Sequence, residues 1–227
     1  MYEKSREYHK AIDYLCGEIK NGNLKVGSKL PTERKIAEVL KISRNSTREA
    51  LRSLDNMGVI ESRRGSGNYL TGNISKNLSE MIRMMLLINA VNQKEICDFR
   101  RSMEKAVCFL VIEKNTGMNW QEAERLFSEN VKTEAEEIEN DRKFHYMLIK
   151  ASENRFWIEL MNAITDVYRE WIDAVISTSN QQTKDELRQV HLDIIDAIKN
   201  NDIMTCEKAI DRHYDIIDKK IEEREKQ

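Results

Sequence analysis

Ser43-Arg44-Asn45-Ser46-Thr47-Arg48-Glu49-Ala50-Leu51-Arg52-Ser53-Leu54-Asp55-Asn56-Met57-Gly58 carries two patterns at once. Ala50, Leu51, Leu54 and Met57 recur at spacings of three and four, which makes an apolar helical stripe. Arg44, Arg48 and Arg52 recur every four residues and share a second, basic face. Ser43 suits an N-cap and Gly58 a C′ position, so both ends of the helix are marked. Arginines stacked along a short helix suit phosphates and guanine edges. An isolated helix of this kind reads equally well as a solvated basic surface, so its neighbours decide.

On the N-terminal side, Lys41-Ile42-Ser43 separates this helix from residues 30–40. There Pro31-Thr32 is a helix-start signal, and Ile36, Ala37 and Leu40 give an apolar face. Two short helices joined by a three-residue turn form a helix-turn-helix unit. Residues 5–21 read as an earlier helix with Tyr8, Ile12, Leu15 and Ile19 on its apolar side; Asn21-Gly22-Asn23 ends it, and Val26-Gly27 makes a further turn. Beyond Gly58 the period changes. Residues 59–62 and 68–71 read as strands around the basic, glycine-rich tip Arg63-Arg64-Gly65-Ser66-Gly67. A Gly-x-Gly loop alone is an ordinary turn. Directly after a basic recognition helix it reads as a wing that touches the DNA backbone or minor groove.

Residues 24–72 resemble the DNA-binding domain of the GntR superfamily of bacterial transcription regulators. The residues that carry this are Gly27, Leu30-Pro31-Thr32-Glu33-Arg34 with Ile36-Ala37, then Ser43-Arg44, Arg48-Glu49-Ala50-Leu51 and Leu54, then Gly58 and Arg64-Gly65-Ser66-Gly67. The resemblance implies DNA contacts by Arg34, Arg44, Arg48 and the wing residue Gly65. Ser43, at the helix cap, and Asn45 complete the expected set; Asn45 and Ser46 occupy positions where the family often makes its base choice. The chain departs from the family at Ser46-Thr47, where proline and valine are usual. Weaker packing under the helix and an altered operator are the expectations.

The whole chain has 227 residues, 40% hydrophobic and 33% charged, with one proline and eight glycines. That composition favours a helix-rich globular protein over a turn-rich β fold. Its longest apolar run, Met84-Met85-Leu86-Leu87-Ile88, is too short to span a membrane, and the polar N-terminus shows no signal peptide. Cys16, Cys97, Cys108 and Cys206 form no C-x-x-C pair, which suits free thiols in a reducing cytoplasm. Residues 1–72 carry 14 Lys+Arg against 9 Asp+Glu, whereas the remainder carries 23 against 30. A basic small part joined to an acidic larger part suggests a polyanion-binding module on a regulatory body. We therefore expect a winged helix-turn-helix domain over 1–72, a polar linker over 73–77, and an all-helical antiparallel bundle over 78–227. Within that bundle, helices are expected over 78–88, 93–114, 119–140, 141–151, 155–177, 184–200 and 202–225.

Four histidines are present. His9 reads as a surface residue. His191 is in register with Leu187, Ile194, Ile195 and Ile198, and His213 with Cys206, Ala209, Ile210, Ile216 and Ile217. His145 follows Asp141 by four residues, so carboxylate and imidazole share a face. A single histidine on an apolar stripe is usually a satisfied core residue; three on three helices, one with an aspartate beside it, suggest a metal site. Three imidazoles and a carboxylate suit zinc, nickel or another divalent first-row ion such as manganese. Arg100 falls within the stripe of Ile96, Met103, Val107 and Leu110. A guanidinium there needs an anion, either an internal carboxylate or a bound ligand held bidentately.

Residues 78–225 resemble the FCD domain, the helical effector domain of the FadR subfamily of these regulators. Asp98-Phe99-Arg100-Arg101-Ser102-Met103-Glu104, Asp141-Arg142-Lys143-Phe144-His145, Ala151-Ser152-Glu153-Asn154, His191 and His213 carry it. It implies metal ligation by Asp141, His145, His191 and His213, and an effector carboxylate held by Arg100. In that case the chain is a cytoplasmic, homodimeric repressor that binds a palindromic double-stranded operator and answers to a small carboxylate metabolite; it is not an enzyme and has no membrane partner. A metal-dependent hydrolase or lyase is the alternative. No general base stands beside the ligands as in H-E-x-x-H. A structural DNA binder whose histidines are core is a third reading.

Overall fold

The computed structural model of the chain describes residues 2–72, 74–128 and 133–225. It divides into two compact units, Met1–Leu78 and Ser79–Gln227.

The first unit runs α1 (Tyr2–Lys20), α2 (Glu33–Leu40), α3 (Arg44–Asn56), β1 (Ile60–Arg63) and β2 (Gly67–Leu70). Thr32 caps α2 by accepting the Lys35 N–H, and Lys41, in the left-handed region at φ 53°, ends it. Ser43 caps α3 by accepting the Ser46 N–H. Gly58 turns the chain out at φ 71°, a conformation costly for residues with a Cβ. Ala11 and Leu15 of α1 pack with Ile36, Ala50, Leu51, Leu54, Ile60 and Leu70. Met57, expected on the same stripe, is 52% exposed because it is the C-cap, past the last helical residue. The hairpin pairs Ile60 with Leu70 and Arg63 with Gly67, leaving Arg64-Gly65-Ser66 as its tip. Lys29 bridges antiparallel to Tyr69. The Leu30 N–H donates to Asn68 O and the Leu70 N–H to Ser28 O, both at 2.8 Å, so the segment beyond the Val26-Gly27 turn adds a third rung.

Across the boundary lies α4 (Ile74–Leu87), followed by α5 (Gln93–Lys114), α6 (Trp120–Ser128), α7 (Glu134–Ala151), α8 (Arg155–Thr178), α9 (Gln181–Lys199) and α10 (Ile203–Glu225). Residues 74–77, read from the sequence as linker, are helical, and residue 73 lies outside the described residues. The division expected between 140 and 141 is absent. Thr133 and Glu136 form a capping box that starts a new helix, which then runs unbroken through Asp141. Residues 129–132 of the expected 119–140 helix lie outside the described residues. Asn180 caps α9 on the Thr183 N–H, so that helix begins three residues before the expected Lys184. The core gathers Phe144, Leu148, Val167, Tyr168, Val190, Ile194, Ile210 and Tyr214. Burial of each Phe, Leu, Val or Ile among them stabilises the fold by about 1.5–3 kcal/mol. Among the described residues the chain is mostly α, a winged helix-turn-helix followed by an all-helical unit. No helix among them is long and apolar enough to cross a membrane.

Candidate functional site

In the first unit, the basic face of α3 is presented outward. Ser43, Arg44, Asn45 and Arg48 are exposed, as are Arg34 on α2 and Gly65 at the hairpin tip. Arg48 donates from Nε and Nη2 to the two oxygens of Glu33, both at 2.9 Å. Arg44 Nε lies 3.4 Å from the same carboxylate. Glu33 therefore holds two of the expected DNA-contacting arginines, a role the sequence did not signal. Ser46 differs from the expectation. It is fully buried, and its hydroxyl donates to Glu7 on α1 at 2.9 Å while Ser43 Oγ donates to Ser46 Oγ at 2.8 Å. It faces α1 and not solvent, unlike the exposed Arg44 and Asn45 beside it. Thr47 is equally buried, and its hydroxyl donates to Ser43 O at 3.1 Å, so the polar atom beneath the helix is satisfied.

In the second unit, Asp141, His145, His191 and His213 come together from α7, α9 and α10. One ligand atom from each lies within 4.8 Å of all the others, and all four residues are buried. Since α7 carries both Asp141 and His145, three helices supply the four groups, two of them from one face. His191 Nε2 is 3.3 Å from Asp141 Oδ1 and 3.4 Å from His145 Nε2; His145 Nε2 is 3.6 Å from Asp141 Oδ1. Four ligands about 2.1 Å from a tetrahedral ion are spaced about 3.4 Å from one another. The donor set and its edges therefore fit a divalent ion. Phe127 stacks on the His191 ring at 4.4 Å with 6° between planes, which fixes that imidazole's orientation.

Behind the cluster, His145 Nδ1 lies 2.5 Å from Glu104 Oε1 on α5, and Arg100 Nη2 lies 3.7 Å from the same oxygen. Arg100 also sits over the Tyr168 ring at 4.6 Å. Glu104 is the group that sequence reasoning missed. Its position four residues after Arg100 on the buried face of α5 is a usable signal. That face consists of Ile96, Cys97, Arg100, Glu104, Val107, Cys108 and Val111; Met103 and Leu110, expected on it, are only partly buried.

The charges follow from this packing. Burial pushes the Glu104 carboxyl up, but His145 and Arg100 outweigh it and bring its pKa to about 2. Burial pushes His145 down, and Glu104 and Asp141 on either side raise it to about 9. Asp141 is held well below the usual carboxylate range, because His145 and the His191 hydrogen bond overcome burial. His191 is lowered chiefly by burial, and His213 well lowered by burial and by its two histidine neighbours. Both are thus neutral imidazoles, the form that ligates a metal, whereas His145, raised to about 9, releases a proton on ligating.

A cavity of about 190 Å³ opens on one side of the cluster. Asp141 and His191 form part of its wall, together with Phe127, Ile176, Lys184 and Arg188. Arg100, expected to hold an effector carboxylate, does not line it and is 3% exposed.

Residues 7–70 match the gntR family of bacterial regulatory proteins, and residues 95–216 match the FCD domain. The HTH-type transcriptional regulator LutR of Bacillus subtilis (strain 168) is 33% identical over 155 residues, covering 67% of this chain and 71% of LutR. A chain of Escherichia coli (strain K12), whose assigned name is regulatory protein of the L-lactate dehydrogenase operon, is 26% identical over 216 residues, covering 90% and 82%. Among solved structures, Streptococcus agalactiae GntR superposes with a TM-score of 0.67 at 24% identity, covering 92% of this chain and 98% of that one.

Proposed function

Since the chain belongs to the GntR family of bacterial regulatory proteins, and is a DNA-binding transcription regulator with an FCD effector domain, we propose that a divalent metal ion at its helical centre senses a small organic acid. Asp141, His145, His191 and His213 hold the ion, zinc being the preferred candidate. The ion supplies a Lewis-acidic position for an acid's oxygen. What carries this reading is the set of 3.3, 3.4 and 3.6 Å edges among Asp141, His145 and His191. The relative named for an L-lactate dehydrogenase operon supports a hydroxy acid as the class of ligand.

In this reading Arg34, Ser43, Arg44, Asn45, Arg48 and Gly65 contact operator DNA, and two copies of the chain read a palindrome as two-fold symmetry requires. The acid binds one arrangement of the dimer better than the other and so changes operator affinity. Release on binding the acid makes the chain a repressor acting in the cytoplasm. We read it as a regulator without catalysis, since the carboxylate nearest the cluster, Glu104, is engaged by His145 and Arg100.

Arg100 acts through Glu104, which holds His145 with Nε2 toward the ion. A second reading keeps Arg100 as a direct effector ligand. Its Nε and the hydroxyls of Tyr168 and Tyr214 are buried without a hydrogen-bond partner among the described residues, and a bound carboxylate would accept from them.

The test is elemental content of purified parent and His191→Ala, followed by binding of both to DNA from upstream of the gene, with and without lactate. The parent carries one ion per chain and loses operator affinity with the acid; the variant lacks the ion and ignores the acid. Equal metal in both proteins refutes the site.

A further inference from the structure

The cavity beside the cluster is lined by both carboxylates and cations. Its polar wall comes from α7 and α9. On α9, Lys184, Arg188 and His191 follow at intervals of four and three, so they share one face. Exposure differs among the side chains of that face and their partners. Arg188 and its partner Asp185 are 44% and 48% exposed, Lys184 and Glu137 18% and 27%, and His191 and Asp141 3% and 10%. Arg188 and Asp185 therefore mark the mouth and the metal ligands mark the floor. Lys184 is tied to Glu137 across the two helices at 2.6 Å. Arg188 gives Nη2 to Asp185 at 2.9 Å, and a guanidinium has five N–H donors in all.

The lining carries three carboxylates, Glu137, Asp141 and Asp185, against the cations Lys184 and Arg188. Arg100 and Glu104, behind the floor, cancel each other. A divalent ion on the floor turns this balance from one negative charge to one positive charge.

We infer that this cavity admits a small monocarboxylate, and that Arg188 is the residue that reads its charge. One carboxylate neutralises the loaded cavity, whereas a dicarboxylate of the same length leaves it net negative and unpaired in a partly desolvated space. Lys184 is the fixed cation, while Arg188 has donors to offer a ligand bidentately. The inference rests on the metal reading above and extends it to residues on the wall of the cavity.

Calorimetric titration of zinc-loaded protein tests it, with acetate, lactate and 3-hydroxybutanoate as monocarboxylates and malonate and succinate as dicarboxylates. Zinc per chain is measured on each sample. We expect at least one monocarboxylate to bind about tenfold more tightly than malonate, and Arg188→Gln to weaken it about tenfold, as loss of one charge-assisted hydrogen bond would. Arg188→Lys restores part of the affinity, which a merely structural role for this half-exposed side chain would not predict. With zinc retained, tighter binding of malonate or succinate, no monocarboxylate binding, or unchanged affinity in Arg188→Gln each overturns the inference alone. A parent chain that holds no zinc overturns the metal reading and this inference with it.

Discussion

Replacing Glu104 by Gln separates what this carboxylate does for the metal from what it does for the fold. The amide keeps the shape and one acceptor oxygen, and loses the charge. On the metal side, Glu104 Oε1 sits 2.5 Å from His145 Nδ1 and so sets which ring nitrogen points into the cluster. Altering such an outer partner costs about 10–100-fold in metal affinity, which is about 1.4–2.8 kcal/mol. On the fold side, Arg100 is 3% exposed and loses the anion 3.7 Å away. Breaking one half of a buried ion pair costs about 3–5 kcal/mol, and the Tyr168 face beneath Arg100 offsets up to about 2 kcal/mol of that. The double variant Glu104→Gln/Arg100→Met removes the stranded charge, so it recovers stability and leaves metal affinity low. Zinc competition against a chromogenic chelator reads the first effect. Urea unfolding in excess chelator reads the second through Trp120, Trp157 and Trp171, all of which lie in the helical unit. If Glu104→Gln folds and competes for zinc as strongly as the parent, the Glu104–His145 contact does not prepare the imidazole for an ion, and the reasoning fails.

Arg44→Ala and Arg48→Ala should each weaken operator binding by about 1–3 kcal/mol if the arginine reads a base; fluorescence anisotropy with a labelled operator measures this, and unchanged affinity in both would remove α3 from the groove. Arg100→Met should lower zinc affinity, as the Glu104 route requires; normal zinc with the acid response lost would instead favour direct contact between Arg100 and the effector. Glu7 is held below its usual 4.5, first by the Ser46 and Ser43 hydrogen bonds. Its contribution to the winged unit is therefore complete above pH 4.5 and is lost as pH falls through the lowered value. An NMR titration of the Glu7 carboxyl should give a midpoint below 4.5 in the parent and a higher one in Ser46→Ala. A midpoint of 4.5 or above in the parent would show that the Ser46 bond does not hold the charge.

The winged unit was legible because its determinants are local. Ser43 and Gly58 mark the ends of α3, and period-three-and-four spacing puts Ala50, Leu51 and Leu54 inside. The gathering of Asp141, His145, His191 and His213 was legible from the core-facing stripes of His191 and His213 and from the shared face of Asp141 and His145, each read from its own helix. What the stripes do not encode is the register of one helix against another. Arg100 could be seen to be buried, and the anion it meets, Glu104, lies one turn on along α5; that Glu104 also reaches His145 depends on where α5 lies relative to α7. Ser46 shows the same limit. Its place in α3 was clear, but its direction, toward Glu7 and away from solvent, follows from how α1 crosses α3. The misplaced boundary at 140 had a local cause that was overlooked, since Thr133-Glu134-Ala135-Glu136 has the spacing of a capping box.

Because Asp141 and His191 are the floor of the cavity, an ion and an acid bound as proposed would have an order of arrival. The ion would settle first, behind the space that the acid later fills. With the acid seated, the ion would lose its exit on that side, where Lys184 and Glu137 link α9 to α7. A loaded chain would then answer quickly to swings in the acid and slowly to swings in the metal, so that a cell's recent metal supply sets whether the faster signal is heard at all.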